Sequence, residues 1–136
     1  MSARVIVFHS LAHARAALAA AERGAPVTLR SAPGAAAYAG AGYLKAIVDQ
    51  AASEHADVAV TAVIDCGADA GIAMAALRAG WRTVRFSGPE KVRRKLADIA
   101  DQCGARLADD DAEATEALDL LDSGDPLAAC RAFLSR

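Results

Sequence analysis

Residues 57–90 read DVAVTAVIDCGADAGIAMAALRAGWRTVRFSGPE, and this stretch is a strand–helix–strand unit complete in itself. Val58 to Ile64 forms a strand. Asp69 then begins a helix in which Ile72, Ala73, Ala76 and Leu77 recur on one face, and Gly80 stops it. Thr83 to Phe86 resumes as a strand, with no hairpin turn between the two, so they run parallel in one sheet. Strand ends of one sense share a rim. Asp65, Cys66, Arg85 and Ser87 therefore stand at or near carboxyl ends, where ligands of α/β proteins bind.

Toward the amino terminus the pattern repeats. Arg4 to His9 is a short apolar run of the kind buried in a parallel sheet. Ser10 caps the alanine-rich helix LAHARAALAAAER, which Gly24 ends. Val27 to Arg30, after Pro26, is the second strand. The segment SAPGAAAYAGAG, residues 31–42, carries Pro33, Gly34, Gly40 and Gly42 and is too punctuated for a regular element. It is either a binding loop or an extra helical turn. Leu44, Ile47, Val48, Ala51 and His55 then mark a second helix, from about 42 to about 55.

Toward the carboxyl terminus, Ser87-Gly88-Pro89 opens a helix with Val92, Leu96, Ile99 and Cys103 on one face, and Lys91, Arg93, Arg94 and Lys95 read as its solvated side. Ala105 to Ala108 is a short fifth strand. Asp109, Asp110 and Asp111 precede AEATEALDLLDSG, which reads as a helix with acidic residues at its amino end. Asp125-Pro126 caps a last helix. The fold class that follows is α/β: a parallel four- to five-stranded sheet with covering helices, half-barrel-like or a flattened three-layer sandwich, with a C-terminal helical pair. Residues 1–136 are expected to form one domain.

Composition bounds the function. Apolar residues are 54% of the chain but aromatics only 4%, so thin alanine-rich helices should pack closely on Val, Ile and Leu strands. With 15 basic and 17 acidic residues there is no electrostatic case for nucleic acid. Cys66, Cys103 and Cys130 make no CxxC pair and suit reduced thiols in the cytoplasm. No apolar run approaches the ~18 residues of a membrane span, and the start MSARVIVFHS is a strand rather than a secretory signal.

Two stretches resemble the 2-keto-3-deoxy-6-phosphogluconate aldolase family of (β/α)8 barrels. Val27-Thr28-Leu29-Arg30-Ser31 is similar to that family's second strand, and Ile72 to Glu90, IAMAALRAGWRTVRFSGPE, to a family segment ending in a lysine and FFPAE. The resemblance implies barrel ancestry. It also marks departures: Pro26 stands where the family has a glutamate, and Arg85 where it has the Schiff-base lysine. A Schiff base needs a neutral primary amine, and a guanidinium stays protonated, so that chemistry does not carry over. A full barrel also needs about 200 residues or more.

The shared rim gathers His9 and Ser10, Arg30 and Ser31, Asp65 and Cys66, Arg85 and Ser87, a set suited to a small anionic metabolite. Gly40 and Gly42 would let backbone N–H groups approach a phosphate. No Walker lysine and no GxGxxG is present, so no cofactor is expected, and no metal either, since His9 lies at a strand end and breaks its helical spacing with His13. Cys66, between Asp65 and Asp69, reads as a quiet thiol, and Cys103 and Cys130 as core. Two classes of function stay open: a small-molecule-binding protein or enzyme of barrel-like ancestry, or a non-catalytic module that associates with itself. Open sheet edges favour a homodimer unless the C-terminal helices cover them.

Overall fold

Strands separated by helices cannot pair as hairpins, and in the computed structural model, which describes residues 4–21, 26–108 and 116–135, every strand pairing is parallel. The elements in chain order are β1 (Arg4–Phe8), α1 (Leu11–Ala20), β2 (Pro26–Ser31), α2 (Ala35–Ala39), α3 (Ala41–Ser53), β3 (Ala59–Asp65), α4 (Ala70–Arg78), β4 (Thr83–Arg85), α5 (Glu90–Gln102), β5 (Arg106–Leu107), β6 (Ala117–Asp119) and α6 (Pro126–Leu134). The strands lie in the order β5-β4-β3-β2-β1-β6. Bent into a ring, that is the order of a six-stranded barrel cut between β5 and β6. The helices follow the same sequence, with α5 on α4, α4 on α3, α3 on α1 and α1 on α6.

Local chemistry accounts for the helix starts. The Ser10 hydroxyl accepts the His13 N–H at 3.2 Å, Asp69 accepts the Ile72 N–H at 3.1 Å, and Asp125 accepts the Ala128 N–H at 3.1 Å with Pro126 in the first turn. The core is alanine-lined as composition implied: Ala14, Ala17, Ala51, Ala73, Ala76 and Ala100 are fully buried among Ile6, Leu29, Ile64 and Val84. Segment 31–42 resolves into the extra helical turn, α2, separated from α3 by Gly40 at φ +88°, a conformation that suits glycine alone. Gly24, read as the stop of α1, lies outside the described residues. So do 109–115.

Three expectations are corrected. Residues 117–119, read as part of a helix over 113–122, form the edge strand β6, so the sheet has six described strands, and residues 113–115 of that expected helix lie outside the described residues. Backbone pairing with β1, more than a hundred residues away, outweighs the local helical preference of the ALDL sequence. Cys103, expected in the core, caps the end of α5 and is exposed. Arg93, read as part of a solvated basic run, is partly buried and donates to the carbonyls of Phe86 at 2.9 Å and Ala108 at 2.7 Å, clamping the chain ends that leave β4 and β5. Among the described residues no helix is long and apolar enough to cross a membrane.

Candidate functional site

The pairing register sorts the strands into two faces. Ile6, Leu29 and Ala62 lie side by side, as do Ile64, Val84 and Leu107, and this apolar face packs with Leu18, Leu44, Val48, Leu77 and Leu96 of the helices. The other face is different. It places Val7, Arg30 and Val63 in one row, Thr28 beside Thr61, Thr83 beside Arg106 and Asp65 beside Arg85, with Asp119 next to Val7 at the β6 edge. Arg30, Asp65 and Arg85, three of the residues read from sequence as site candidates, therefore share one face near the carboxyl end.

Asp65 organises this end. Its carboxylate oxygen Oδ1 accepts the backbone N–H of Gly34 at 3.1 Å and of Gly67 at 2.9 Å, while Oδ2 stands 3.9 Å from Arg85 Nη1. The Asp65 N–H donates to the hydroxyl of Ser31, a fully buried side chain, at 2.8 Å. Cys66 N–H donates to the Arg85 carbonyl at 2.9 Å, and Ser87 N–H to the Gly67 carbonyl at 2.8 Å. Ser31, Asp65, Cys66, Arg85 and the Ser87 backbone thus form one laced cluster across β2, β3 and β4. The Arg30 side chain lies on the same face, with Nε and Nη1 shielded from solvent. Gly88 is required by packing here, since a Cβ there would lie 2.3 Å from the buried Phe86 ring.

The remaining candidates stand elsewhere. His9 and Ser10 are at the β1 end of the rim: His9 Nε2 meets Asp119 Oδ1 at 2.6 Å, the His9 N–H donates to His13 Nδ1 at 3.0 Å, and Ser10 is spent on its cap. Burial, then the neighbouring His9, lowers the His13 pKa. Asp119 is held below the usual carboxylate range because the Leu121 N–H and His9 outweigh its burial. Gly40 and Gly42 flank Ala41, whose carbonyl accepts the Trp81 indole N–H at 2.9 Å. Cys66 is buried, and burial, followed by the charges of Asp65 and Asp69, pushes its thiol up to about 12. A thiol at that value is protonated and is no nucleophile at neutral pH. Among the described residues no group of three or more His, Cys, Asp and Glu side chains is arranged to hold a metal ion.

Thr28, Thr61, Thr83, Arg106 and Asp119 were not singled out from sequence, although a signal was present. In VTLR, VTAV and TVRF a polar residue recurs at every second position or nearly so, the period of a strand with one polar face. Reading the strands as buried alike on both sides hid it.

A parallel sheet in barrel order, with polar and charged side chains gathered toward its carboxyl end, is the framework of the (β/α) barrel enzymes and their relatives. Residues 3–94, more than half of the chain, match the family of class-II fructose-bisphosphate aldolases. The chain belongs to that family. It is 36% identical over 70 residues to the plasmid-borne fructose-bisphosphate aldolase of Cupriavidus necator, a match that takes in 52% of this chain and 20% of the relative. The chain therefore spans about a fifth of the curated relative it matches. The aldolase-like reading of the sequence holds at this level, but the family is the class-II fructose-bisphosphate one, not the 2-keto-3-deoxy-6-phosphogluconate aldolases specifically.

Proposed function

We propose that this chain is a small-molecule-binding α/β protein whose ligand is a phosphorylated or carboxylated metabolite, held at the carboxyl ends of β2, β3 and β4. The single observation that supports the reading best is the shared polar face of Arg30, Asp65 and Arg85. The two guanidinium groups offer paired N–H donors to an oxyanion, and Asp65 is already engaged by two backbone N–H groups and by Arg85, which reduces its repulsion. Ser87 is exposed beside them and adds a hydroxyl. The relative's name makes a fructose bisphosphate the first ligand to try.

Thermal unfolding against sugar phosphates and keto acids tests the reading. A ligand at a hundredfold excess over its Kd adds about 2.7 kcal/mol to stability. Arg30→Ala and Arg85→Ala should each remove most of the shift, and Ser87→Ala a smaller part of it. A panel without any stabilising anion overturns the reading, as does a shift that these variants leave intact.

A second reading, self-association into a twofold dimer, draws on the two edge strands β5 and β6, two and three residues long, at which the described sheet ends. Light scattering at tens of micromolar decides it, and a monomer rejects it.

A further inference from the structure

Below the carboxyl rim β3 outruns β4. Their pairing covers Ile64 with Val84 and Asp65 with Arg85, and β3 runs back to Ala59 while β4 begins only at Thr83. A cleft of about 440 Å³ lies there under α3, within the roughly 300–1,000 Å³ of small-molecule pockets. Val48 and Ala52 of α3 and Val60 of β3 give it an apolar wall, and Thr61, Thr83, Arg82 and Arg106 a polar one.

The charges in this cleft do not cancel. Its Asp49 is taken by Lys45, one helical turn away, at 2.7 Å. Arg82 gives one N–H to the Gly104 carbonyl at a long 3.4 Å, and Arg106 stands in register beside Thr83. Among the described residues no ion pair places a carboxylate on either arginine. Two arginines and two threonines thus line a partly apolar space whose carboxylate is already matched by an ammonium.

We propose that this cleft is a second ligand site, distinct from the rim around Asp65, for a small organic anion that joins an apolar body to a phosphate or carboxylate. Arg82 and Arg106 clasp the anionic group, Thr61 and Thr83 donate hydroxyl hydrogens, and the apolar body lies against Val48 and Val60. Arginine suits the role because its planar fork donates two parallel hydrogen bonds to such a group.

Trp81 supplies the reporter. It is the one tryptophan of the chain, it lines the cleft, and it is buried with its indole N–H on the Ala41 carbonyl. Its emission is followed while phenyl phosphate, benzoate or the neutral benzyl alcohol is added. The expected result is a saturable change with phenyl phosphate, benzoate or both, which separates the two anion classes, and none with benzyl alcohol. Replacing both arginines, Arg82→Ala with Arg106→Ala, should raise the apparent Kd at least tenfold, and Arg106→Lys, which keeps the charge but loses the fork, should raise it by less. Both positions are exposed, so the fold should survive the changes, and circular dichroism checks this. Arg85→Ala should leave the titration within twofold. No saturable change with either anion, an equal response to benzyl alcohol, or a response indifferent to Arg82 and Arg106 overturns the proposal. A response lost with Arg85→Ala but kept in the double variant overturns it while leaving the rim reading intact.

Discussion

The Asp65 carboxylate faces the Arg85 guanidinium at 3.9 Å across the β3–β4 register, and with its other oxygen it holds the backbone N–H groups of Gly34 and Gly67. One side chain thereby joins the turn before α2, the turn before α4 and the end of β4. The N–H contacts are short and fixed, whereas the ion pair is long. Structural weight rests on the former, and the net charge left for a ligand is set by the latter.

Replacing Asp65 separates these two contributions. Asp65→Ala strips the acceptor from two backbone donors and should lower the unfolding free energy by about 3 kcal/mol, while Asp65→Asn keeps an acceptor oxygen and should cost about 1 kcal/mol. Urea titrations with unchanged slope give both values. With the negative charge gone, Asp65→Asn should also bind an anion at the rim several-fold more tightly. Equal destabilisation by the two variants would show that the charge, not the acceptor geometry, holds the turns.

Two glycines should respond in opposite senses. A Cβ on Gly88 would meet Phe86 Cζ at 2.3 Å, and that ring is buried, so Gly88→Ala should destabilise by about 1–3 kcal/mol. Gly42 sits in the first turn of α3 with nothing within 4 Å of a new Cβ. Gly42→Ala should therefore stabilise by about 0.5–1 kcal/mol through the unfolded chain. Chemical denaturation of the two variants side by side is the check.

How much of this was legible in the sequence depends on the range of the interaction that decides each feature. Ser10, Asp69 and Asp125 act within three residues, and their caps could be read directly. Arg85 and Asp65 follow from strand ends, so their place at the rim was readable, but the Gly34 N–H that completes the Asp65 site comes from 31 residues away and carries no local mark. The same distance problem turned 117–119 from an expected helix into β6, because the partner that decides it is β1. For Cys103, periodicity gave the face of α5 but not its depth, and the helix end has already left the core there. The cleft beneath α3 lies where the long β3 runs on beside the start of the short β4, a length mismatch that neither strand's own residues express.

Acid should weaken one helix–helix tie over a definite window. Arg15 of α1 donates to both carboxylate oxygens of Glu54 at 2.9 and 2.8 Å, and with a further bond from Gln50 this holds the Glu54 pKa at about 2. The folded value is depressed, so the contribution is fully present above the ordinary carboxylate pKa of about 4.3 and is lost as pH falls through about 2. Glu54→Gln should therefore flatten the stability profile between those limits and leave it unchanged in slope near neutrality. Thermal midpoints measured from pH 7 to pH 2 give the comparison. A profile as steep as the parent's would assign the acid sensitivity to other carboxylates.

The three cysteines should divide cleanly by reactivity. Cys66 is buried and its thiol is pushed up to about 12, chiefly by burial and then by Asp65 and Asp69; Cys130 is buried and pushed up to about 11 by burial alone; Cys103 is exposed at the end of α5. At pH 8 the first two are protonated and shielded, and a reagent that needs the thiolate meets only the third. A chromogenic disulfide reagent should titrate one thiol per native chain quickly and all three after denaturation. Cys103→Ser should abolish the fast phase, and Cys66→Ser should leave it intact. A fast phase that survives Cys103→Ser and disappears with Cys66→Ser would mean that the end of β3 opens far more readily than its hydrogen bonds to Ser31, Gly34 and Gly67 imply. It would also make Cys66 a reactive member of the rim.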